Sequence, residues 1–211
     1  MAVYKQPLYY EIAFSFIDPK EQVDNFERLI KKFSKIEVRR FLDLACGPSL
    51  QLREIARRGY EAVGLDSSSQ MLRYLEYKAK EEGLKIETIQ ADMTDFVLKK
   101  KVDFSFIMMG SLNVESNDKF LRHLDSVAAS LNEGGLYFIQ NQRLDWTKEG
   151  KQSWTMQKNG ITITFPYQDS HGYSIIQLYL PSFIIAVFFP FLGVGISEII
   201  HRTLEKKIRY I

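Results

Sequence analysis

The fold of this chain is decided by the stretch Phe41-Leu42-Asp43-Leu44-Ala45-Cys46-Gly47-Pro48-Ser49. Its first four residues belong to an apolar run from Arg40 to Leu44 that predicts a strand, and the small residues at 45, 47 and 49 predict a tight turn. A helical pattern follows from about Ser49 to Arg58. The free N–H groups at the start of that helix suit a carboxylate, whereas Asp43 suits an ammonium group. A zwitterionic amino-acid group meets both requirements, while Asp43 would repel a pyrophosphate.

Outward from this stretch, short apolar runs alternate with helical patterns. Strands separated by helices require parallel pairing through right-handed crossovers, so the pattern predicts an α/β fold with a doubly wound, mostly parallel sheet. Ligands of such sheets bind beyond the carboxyl ends of the strands. The further predicted strands are Glu61 to Leu65, Ile86 to Gln90, Val102 to Met108 and Leu136 to Gln140. The predicted helices are one capped by Asp18, one from Ser67 to Glu82 opened by a capping box (Ser67 to Gln70), and one on the face from Phe120 to Leu131 that ends at Glu133-Gly134-Gly135.

Two further aspartates follow predicted strands. Asp66 ends the second strand, and a carboxylate about 20 positions after such a turn can accept hydrogen bonds from both ribose hydroxyls. Asp92 follows the third strand, where it can accept a hydrogen bond from an adenine amino group while Met93 and Met71 pack on the purine. Each feature alone is weak, but together they indicate one nucleoside site with an amino-acid end.

These residues resemble the small-molecule class I S-adenosylmethionine (SAM)-dependent methyltransferases. Asp43 to Ser49 is similar to the family's first motif, Asp-Leu-Gly-Cys-Gly-x-Gly, with Ala45 and Ser49 in place of two glycines. Further similarities lie at Gly59 to Leu72, Ala91 to Met93, Leu131 to Leu136, and Tyr9-Tyr10-Glu11, which resembles a Tyr-Tyr-Asp segment. The resemblance covers about Tyr9 to Gln140 and implies a Rossmann-like methyltransferase fold.

The resemblance implies SAM as the cofactor and gives the site residues their roles. Asp43 with the backbone of Ala45 and Gly47 would hold the methionine portion, next to Cys46 and with Tyr10 nearby. The other implied cofactor contacts are Asp66 at the ribose, Asp92 and Met93 at the adenine, and Met109 and Gly110 near the sulfonium; Ser67 and Met71 are also expected to bind the cofactor. No catalytic base is assigned, and His123 is interpreted as a surface or core residue.

Composition limits the function classes. With 28 basic and 26 acidic residues the net charge is +2, which gives no electrostatic case for a nucleic-acid partner. The single Cys46 excludes an internal disulfide and a multi-cysteine zinc site. We therefore expect no metal, and we expect a cytoplasmic setting. The loop Met109 to Asn113 lacks an Asn-Pro-Pro-aromatic motif, which disfavours DNA methylation and leaves a small-molecule acceptor as the expected partner.

One domain is expected, with an N-terminal helical cover (1–36), a SAM-binding core (37–142) and C-terminal strands (143–211) that match the family poorly. Ile161 to Phe165 alternates like a strand. The stretch Gly172 to Ser197 has no charged residue, and its prolines fit strand ends better than a helix interior, which favours buried strands at Ser174 to Leu180 and Ile184 to Phe189. These C-terminal strands are expected to be antiparallel. A membrane-associated segment and an altered tail are the alternatives, and a homo-oligomer formed through this segment is a separate expectation.

Two other functions remain open. A non-catalytic SAM-binding or scaffolding protein would account for the altered glycine turn and for the unusual C-terminal part. A nicotinamide-dependent oxidoreductase would share the topology, but Asp43 and the lack of Gly-x-Gly-x-x-Gly argue against it.

Overall fold

The computed structural model describes residues 5–112, 114–140, 151–158, 160–168, 175–180 and 183–188. Helices and strands alternate through most of this range. The helices are α1 (Pro7–Ala13), α2 (Pro19–Phe33), α3 (Leu50–Arg57), α4 (Ser69–Glu81) and α5 (Asn117–Ser130). The strands are β1 (Arg40–Leu44), β2 (Glu61–Asp66), β3 (Ile86–Gln90), β4 (Val102–Ile107), β5 (Leu131–Gln140), β6 (Lys151–Lys158), β7 (Ile161–Gln168), β8 (Ile175–Leu180) and β9 (Phe183–Phe188).

Seven strands form one sheet in the order β3-β2-β1-β4-β5-β9-β8. The neighbours from β3 to β9 pair in parallel, and β8 pairs with β9 antiparallel. Strands β6 and β7 form a separate antiparallel pair. The predicted doubly wound, mostly parallel sheet with antiparallel C-terminal strands is therefore confirmed. Strand β1 lies between β2 and β4, so the strand order reverses beside it, and a crevice is expected at its carboxyl end.

Two apolar layers cover the sheet, and β1 contributes to both. Phe41 packs with residues of α2 and α3, including Phe26 and Leu52. Leu42 and Leu44 pack on the other face with Val127 of α5. Because successive side chains of a strand point to opposite faces, Asp43 lies on the face of Phe41, towards α3. The strand thus directs one carboxylate into an otherwise apolar layer.

The segment around Tyr10 is helical, as α1, within the region 1–36 that was expected to form a helical cover. Two predicted helix ends are wrong. The capping box at Ser67 is wrong: the N-cap is Ser68, one residue later, because Ser68 Oγ accepts the hydrogen bond from the Met71 N–H at 3.4 Å, and α4 begins at Ser69. The helix end at Glu133-Gly134-Gly135 is also wrong, since α5 ends at Ser130 and β5 begins at once. A register shift against β4, between Val102 and Phe104, accommodates these residues within β5.

The C-terminal strands come close to their predicted positions. Strands β7, β8 and β9 match the predicted strands near 161–165, 174–180 and 184–189, while β6 had not been predicted. Among the described residues, no helix combines the length and the apolar character that a bilayer crossing requires. Residues 141–150 and 189–211 lie outside the described residues, as does part of the segment expected to mediate self-association.

Candidate cofactor site at the carboxyl ends of the strands

The turn after β1 has a backbone that favours glycine at three positions. Ala45, Gly47 and Ser49 have φ angles of 54°, 53° and 22°. Ala45 and Ser49 occupy the positions where the first motif of class I methyltransferases has glycines. The alanine and the serine therefore adopt the left-handed conformation that glycine adopts more easily.

Ser49 connects this turn to Asp43 and to α3. Its hydroxyl donates a hydrogen bond to Asp43 Oδ2 at 2.6 Å and accepts one from the Leu52 N–H at 3.0 Å, which caps the helix. Asp43 is 4% exposed. Burial raises the pKa of the Asp43 carboxyl to about 8, the negative charge of Asp66 adds to this effect, and the hydrogen bond from Ser49 opposes it. A nearby cation would favour the ionised carboxylate, so the site is suited to an ammonium ligand.

Asp66 shapes the same turn from the end of β2. Its Oδ2 accepts a hydrogen bond from the Gly47 N–H, and its Oδ1 accepts one from the Ser68 N–H, both at 2.7 Å. The carboxylate therefore joins the turn after β1 to the start of α4. Because a carboxylate oxygen has two acceptor sites, each oxygen can still accept a hydrogen bond from a ligand hydroxyl.

Asp92 and Met93 follow β3 and are held by α5 as well as by their own turn. Asp92 Oδ1 accepts hydrogen bonds from the N–H and the hydroxyl of Thr94, both at 2.8 Å, and these bonds lower the pKa of the Asp92 carboxyl. The Met93 carbonyl lies 2.8 Å from Nδ1 of the fully buried His123. The ring's Nε2 lies 2.6 Å from the Tyr137 hydroxyl. Since a carbonyl only accepts, Nδ1 carries the proton, and the Tyr137 hydroxyl donates to Nε2.

His123 is thus a core residue that fixes the backbone beside Asp92. Burial lowers the pKa of its imidazole, which keeps the ring neutral. This agrees with the sequence-based interpretation of His123 as structural.

Two adjoining cavities line the carboxyl edge of the sheet and meet at Ala45 and Ser111. The first has a volume of about 460 Å³ and the second about 770 Å³, both including space open to solvent. The first is lined by Tyr10, Asp43, Ala45, Cys46 and Met109, with Glu11, Phe14, Ile17, Pro48, Ser49, Leu50, Gln51, Met108 and Ser111. The second is lined by Ala45, Asp66, Ser67, Asp92 and Met93, with Leu65, Ala91, Thr94, Ser111, Val114, Glu115 and Lys119.

The structure therefore brings most of the predicted site residues to one cleft, where they are divided between the two cavities. Met71 is not brought there: it is 2% exposed and lines neither cavity. Gly47 and Gly110 do not line the cavities either, but each adjoins residues that do. Roles in cofactor binding remain predictions for all of them.

Cys46 has a packing role. A Cβ on Gly64 would lie 2.9 Å from Cys46 Sγ and 2.9 Å from Leu52 Cδ1. The thiol is buried, which raises its pKa well above the usual range. This supports the sequence-based view that Cys46 is a poor nucleophile.

Sequence reasoning missed Gln140 and Glu11. Gln140, the last residue of β5, accepts a hydrogen bond from the Met109 N–H in the loop after β4. Glu11 lines the first cavity and is 8% exposed, and its carboxylate accepts a hydrogen bond from Arg53 Nη1 at 2.9 Å. That ion pair joins α1 to α3. The available signals were a glutamine at the end of a strand and an acidic residue beside Tyr10. Neither signal indicates the distant residue with which that side chain forms its hydrogen bond.

Comparison with known proteins agrees with this geometry. Residues 41–135 match the family model described as "Methyltransferase domain". A relative from Geobacillus sp. (strain WCH70), by name a methyltransferase, is 28% identical over 111 residues, which are 52% of this chain and 45% of the relative. The chain spans about half the length of the curated relatives it matches, with 45% and 56% of their lengths covered.

Solved structures share the fold at low sequence identity. A S-adenosylmethionine-dependent methyltransferase from Clostridium acetobutylicum superimposes with a TM-score of 0.63 at 17% identity, covering 77% of this chain and 78% of the other. The sugar N-methyltransferase KedS8 from a Streptoalloteichus species superimposes with a TM-score of 0.57 at 20% identity, covering 77% and 75%. These likenesses establish the fold of the chain.

Proposed function

We propose that the protein transfers a methyl group from SAM to a small-molecule acceptor, since residues 41–135 match the methyltransferase-domain family model. The observation that carries the proposal is the cleft at the carboxyl ends of three adjacent strands. Asp43, Asp66 and Asp92 line its two cavities, which meet at Ala45. Such a crevice is where ligands of doubly wound sheets bind.

The first cavity is suited to the methionine end of SAM. The buried Asp43 carboxyl would face the amino group, and the ammonium charge would stabilise the ionised carboxylate. The N-terminus of α3 opens at Ser49, so its free N–H groups would face the ligand's carboxylate. Tyr10 and Met109 line the same cavity and would enclose the chain that leads to the sulfonium.

The second cavity is suited to adenosine. Asp66 would accept hydrogen bonds from the ribose hydroxyls, and the fixed orientation of its carboxylate favours this role. None of the described residues donates a hydrogen bond to Asp92 Oδ2, so that oxygen would accept from the adenine amino group. Met93 and Leu65 line the cavity and would provide apolar contact to the purine.

SAM supplies an activated methyl group. The acceptor's lone pair would form a bond to the methyl carbon while the bond from that carbon to the sulfonium sulfur breaks, which releases S-adenosylhomocysteine. The protein's main contribution is then alignment, which supplies on the order of 7–11 kcal/mol when the reacting atoms are held in line. Asp43, Asp66 and Asp92 would hold the donor at three points. His123 does not take part, because it is buried and both its ring nitrogens are occupied.

The acceptor proposed is a small molecule. The cavity beside Met109 is lined partly by aromatic and apolar side chains of the N-terminal segment, such as Phe14 and Ile17. KedS8, which shares the fold, is a sugar N-methyltransferase, so amino sugars are the first acceptor class to test.

The alternative of a cofactor-binding protein without activity is less well supported. It rested on the replacement of two motif glycines and on the unusual C-terminal part. The first ground is weakened, because Ala45 and Ser49 keep the φ angles that glycine favours. The serine also provides the α3 cap and the bond to Asp43. Tight cofactor binding with no turnover on a broad acceptor panel would favour this alternative.

Calorimetric titration with SAM and S-adenosylhomocysteine tests the proposal. We expect dissociation constants in the micromolar range, which correspond to about −8 kcal/mol. Asp66→Asn should weaken both ligands by about tenfold or more, because one ribose hydroxyl then meets an amide donor. Asp118→Asn, which removes an exposed carboxylate in the first turn of α5, is the matched control and should bind normally.

Failure of the parent protein to bind either ligand would contradict the proposal. Binding that Asp66→Asn leaves unchanged would contradict the proposed orientation. Once binding is established, incubation with methyl-labelled SAM and an acceptor panel that includes amino sugars should give one labelled product.

A further inference from the structure

The loop that follows β4 has an unusual backbone at the edge of the first cavity. Met109 and Gly110 have φ angles of 59° and 70°, so two successive residues are left-handed. This conformation is disfavoured for a methionine, and it persists only where the surroundings fix it. Met109 and the following Ser111 both line the first cavity, and Ser111 also lines the second.

Gln140 fixes this loop through two hydrogen bonds. Its side-chain Oε1 accepts the Met109 N–H at 3.1 Å, and its backbone carbonyl accepts the Gly110 N–H at 3.2 Å. The pairing of β5 with β4 brings this contact about, because Ile139 lies opposite Ile107 at the ends of the two strands. One residue therefore holds two consecutive amides of the left-handed turn.

We propose that Gln140 is a positioning residue that holds the loop after β4 in the conformation required by the methionine end of SAM. The inference rests on the proposed function. Gln140 lines neither cavity, so it acts through Met109 and Ser111 rather than by touching the ligand. The adenosine cavity has a separate support, in which His123 holds the Met93 carbonyl at 2.8 Å.

This separation makes the role of Gln140 measurable. S-adenosylhomocysteine fills both cavities, whereas 5′-methylthioadenosine lacks the amino-acid portion and depends mainly on the second. Loss of the Gln140 side-chain acceptor should therefore weaken the binding of S-adenosylhomocysteine and leave the binding of 5′-methylthioadenosine nearly unchanged. A general loss of stability would weaken both alike.

The experiment compares two substitutions of similar length. Gln140→Met removes the acceptor of the Met109 N–H, and Gln140→Glu keeps it. We expect Gln140→Met to weaken S-adenosylhomocysteine by about tenfold and 5′-methylthioadenosine by less than about twofold, tenfold being about 1.4 kcal/mol. Gln140→Glu should restore most of the lost affinity for S-adenosylhomocysteine. This ligand has a neutral thioether instead of a sulfonium, so the new carboxylate cannot raise the affinity by attracting a positive charge on the sulfur. Gln157→Met, on the exposed surface of β6, is the control and should change neither ligand.

Amide hydrogen exchange of the ligand-free proteins checks the hydrogen bond itself. The Met109 amide should lose protection in Gln140→Met and keep it in Gln140→Glu. Equal weakening of both ligands by Gln140→Met, or unchanged affinity for both, would overturn the proposal, as would a Gln140→Glu variant as impaired as Gln140→Met. A parent protein that binds neither ligand would instead refute the proposed function, and this inference with it.

Discussion

At the scale of single residues, Asp43 gives the free protein a pH dependence of its own. Its pKa is raised from 3.8 to about 8 by burial, so the folded state keeps a proton that the unfolded chain releases above pH 3.8. The stabilisation is complete below pH 3.8 and is lost as the pH rises through about 8. Its decline amounts to about 1.4 kcal/mol per pH unit across this window.

Asp43→Asn should remove that decline, because the amide stays neutral and can still accept the hydrogen bond from Ser49. The difference in unfolding free energy between this variant and the parent should grow in favour of the variant from pH 5 to pH 8. Urea unfolding at several pH values measures it. A difference that stays constant with pH would show that Asp43 ionises normally.

Ala45 is a second residue whose effect on stability has a definite sign. At φ 54° an alanine bears a cost of about 1–2 kcal/mol that glycine avoids, whereas glycine loses about 0.5–1 kcal/mol of chain entropy. Ala45→Gly should therefore stabilise the protein by about 0.5–1 kcal/mol in urea unfolding. Ala79→Gly, within α4, should do the opposite and destabilise by about 2 kcal/mol, because the buried alanine loses its methyl contacts as well as its helix propensity. Destabilisation by both substitutions would mean that the turn is not left-handed at Ala45.

At the scale of elements, Gly64 sets how closely β2 approaches the turn and α3. A Cβ there would lie 2.9 Å from both Cys46 Sγ and Leu52 Cδ1, and 3.2 Å from Leu75 Cδ2. Gly64→Ala should destabilise the protein by about 1–3 kcal/mol, as overpacked cores do. In the Cys46→Ala background the loss should be smaller, because one of the clashing atoms is gone. Equal losses in the two backgrounds, measured by a double-mutant cycle, would show that the clash is relieved elsewhere.

The elements around the site were predictable because their signals are local. Asp18 before Pro19 caps α2, and the strand from Arg40 to Leu44 was exact in its bounds. The helix end that was predicted wrongly, at Glu133-Gly134-Gly135, depends on contacts with residues that are distant in sequence. Asp103 accepts a hydrogen bond from the Asn132 side chain at 2.7 Å, in the stretch where β5 shifts its register against β4. No local pattern in Asn132 to Gly135 distinguishes that arrangement from a helix end.

The site was predictable to the extent that it lies at strand ends. The carboxyl ends of parallel strands meet at one edge of the sheet, so the positions of Asp43, Asp66 and Asp92 at or beside three strand ends predicted that these carboxylates lie near one another. Gln140 was not predicted, since its role depends on a left-handed methionine that has no sequence signature. Met71 was predicted to pack on the purine, but its position on α4 directs it into the core.

At the scale of the whole molecule, two expectations stay predictions: a single domain over residues 1–211 and self-association through Gly172 to Ser197. For the second, the described part of the segment adds two strands at the edge of the main sheet, β9 beside β5 and β8 outermost. An outermost strand presents unpaired backbone groups, which other chains can pair with. Light scattering that gives a monomer, without detergent, would contradict self-association.

The single-domain prediction has a calorimetric test that also reports cofactor binding. One domain should unfold in one transition, and a ligand that binds only the folded state raises the whole transition. S-adenosylhomocysteine at 100 times its dissociation constant raises the free energy of unfolding by about 2.7 kcal/mol. For a chain of this size, that raises the midpoint of thermal unfolding by about 5–10 °C. We expect the C-terminal strands to unfold together with the rest of the sheet, because β5 pairs with β4 on one side and with β9 on the other. Two transitions, of which the ligand shifts only one, would mean that the C-terminal strands fold apart from the cofactor site.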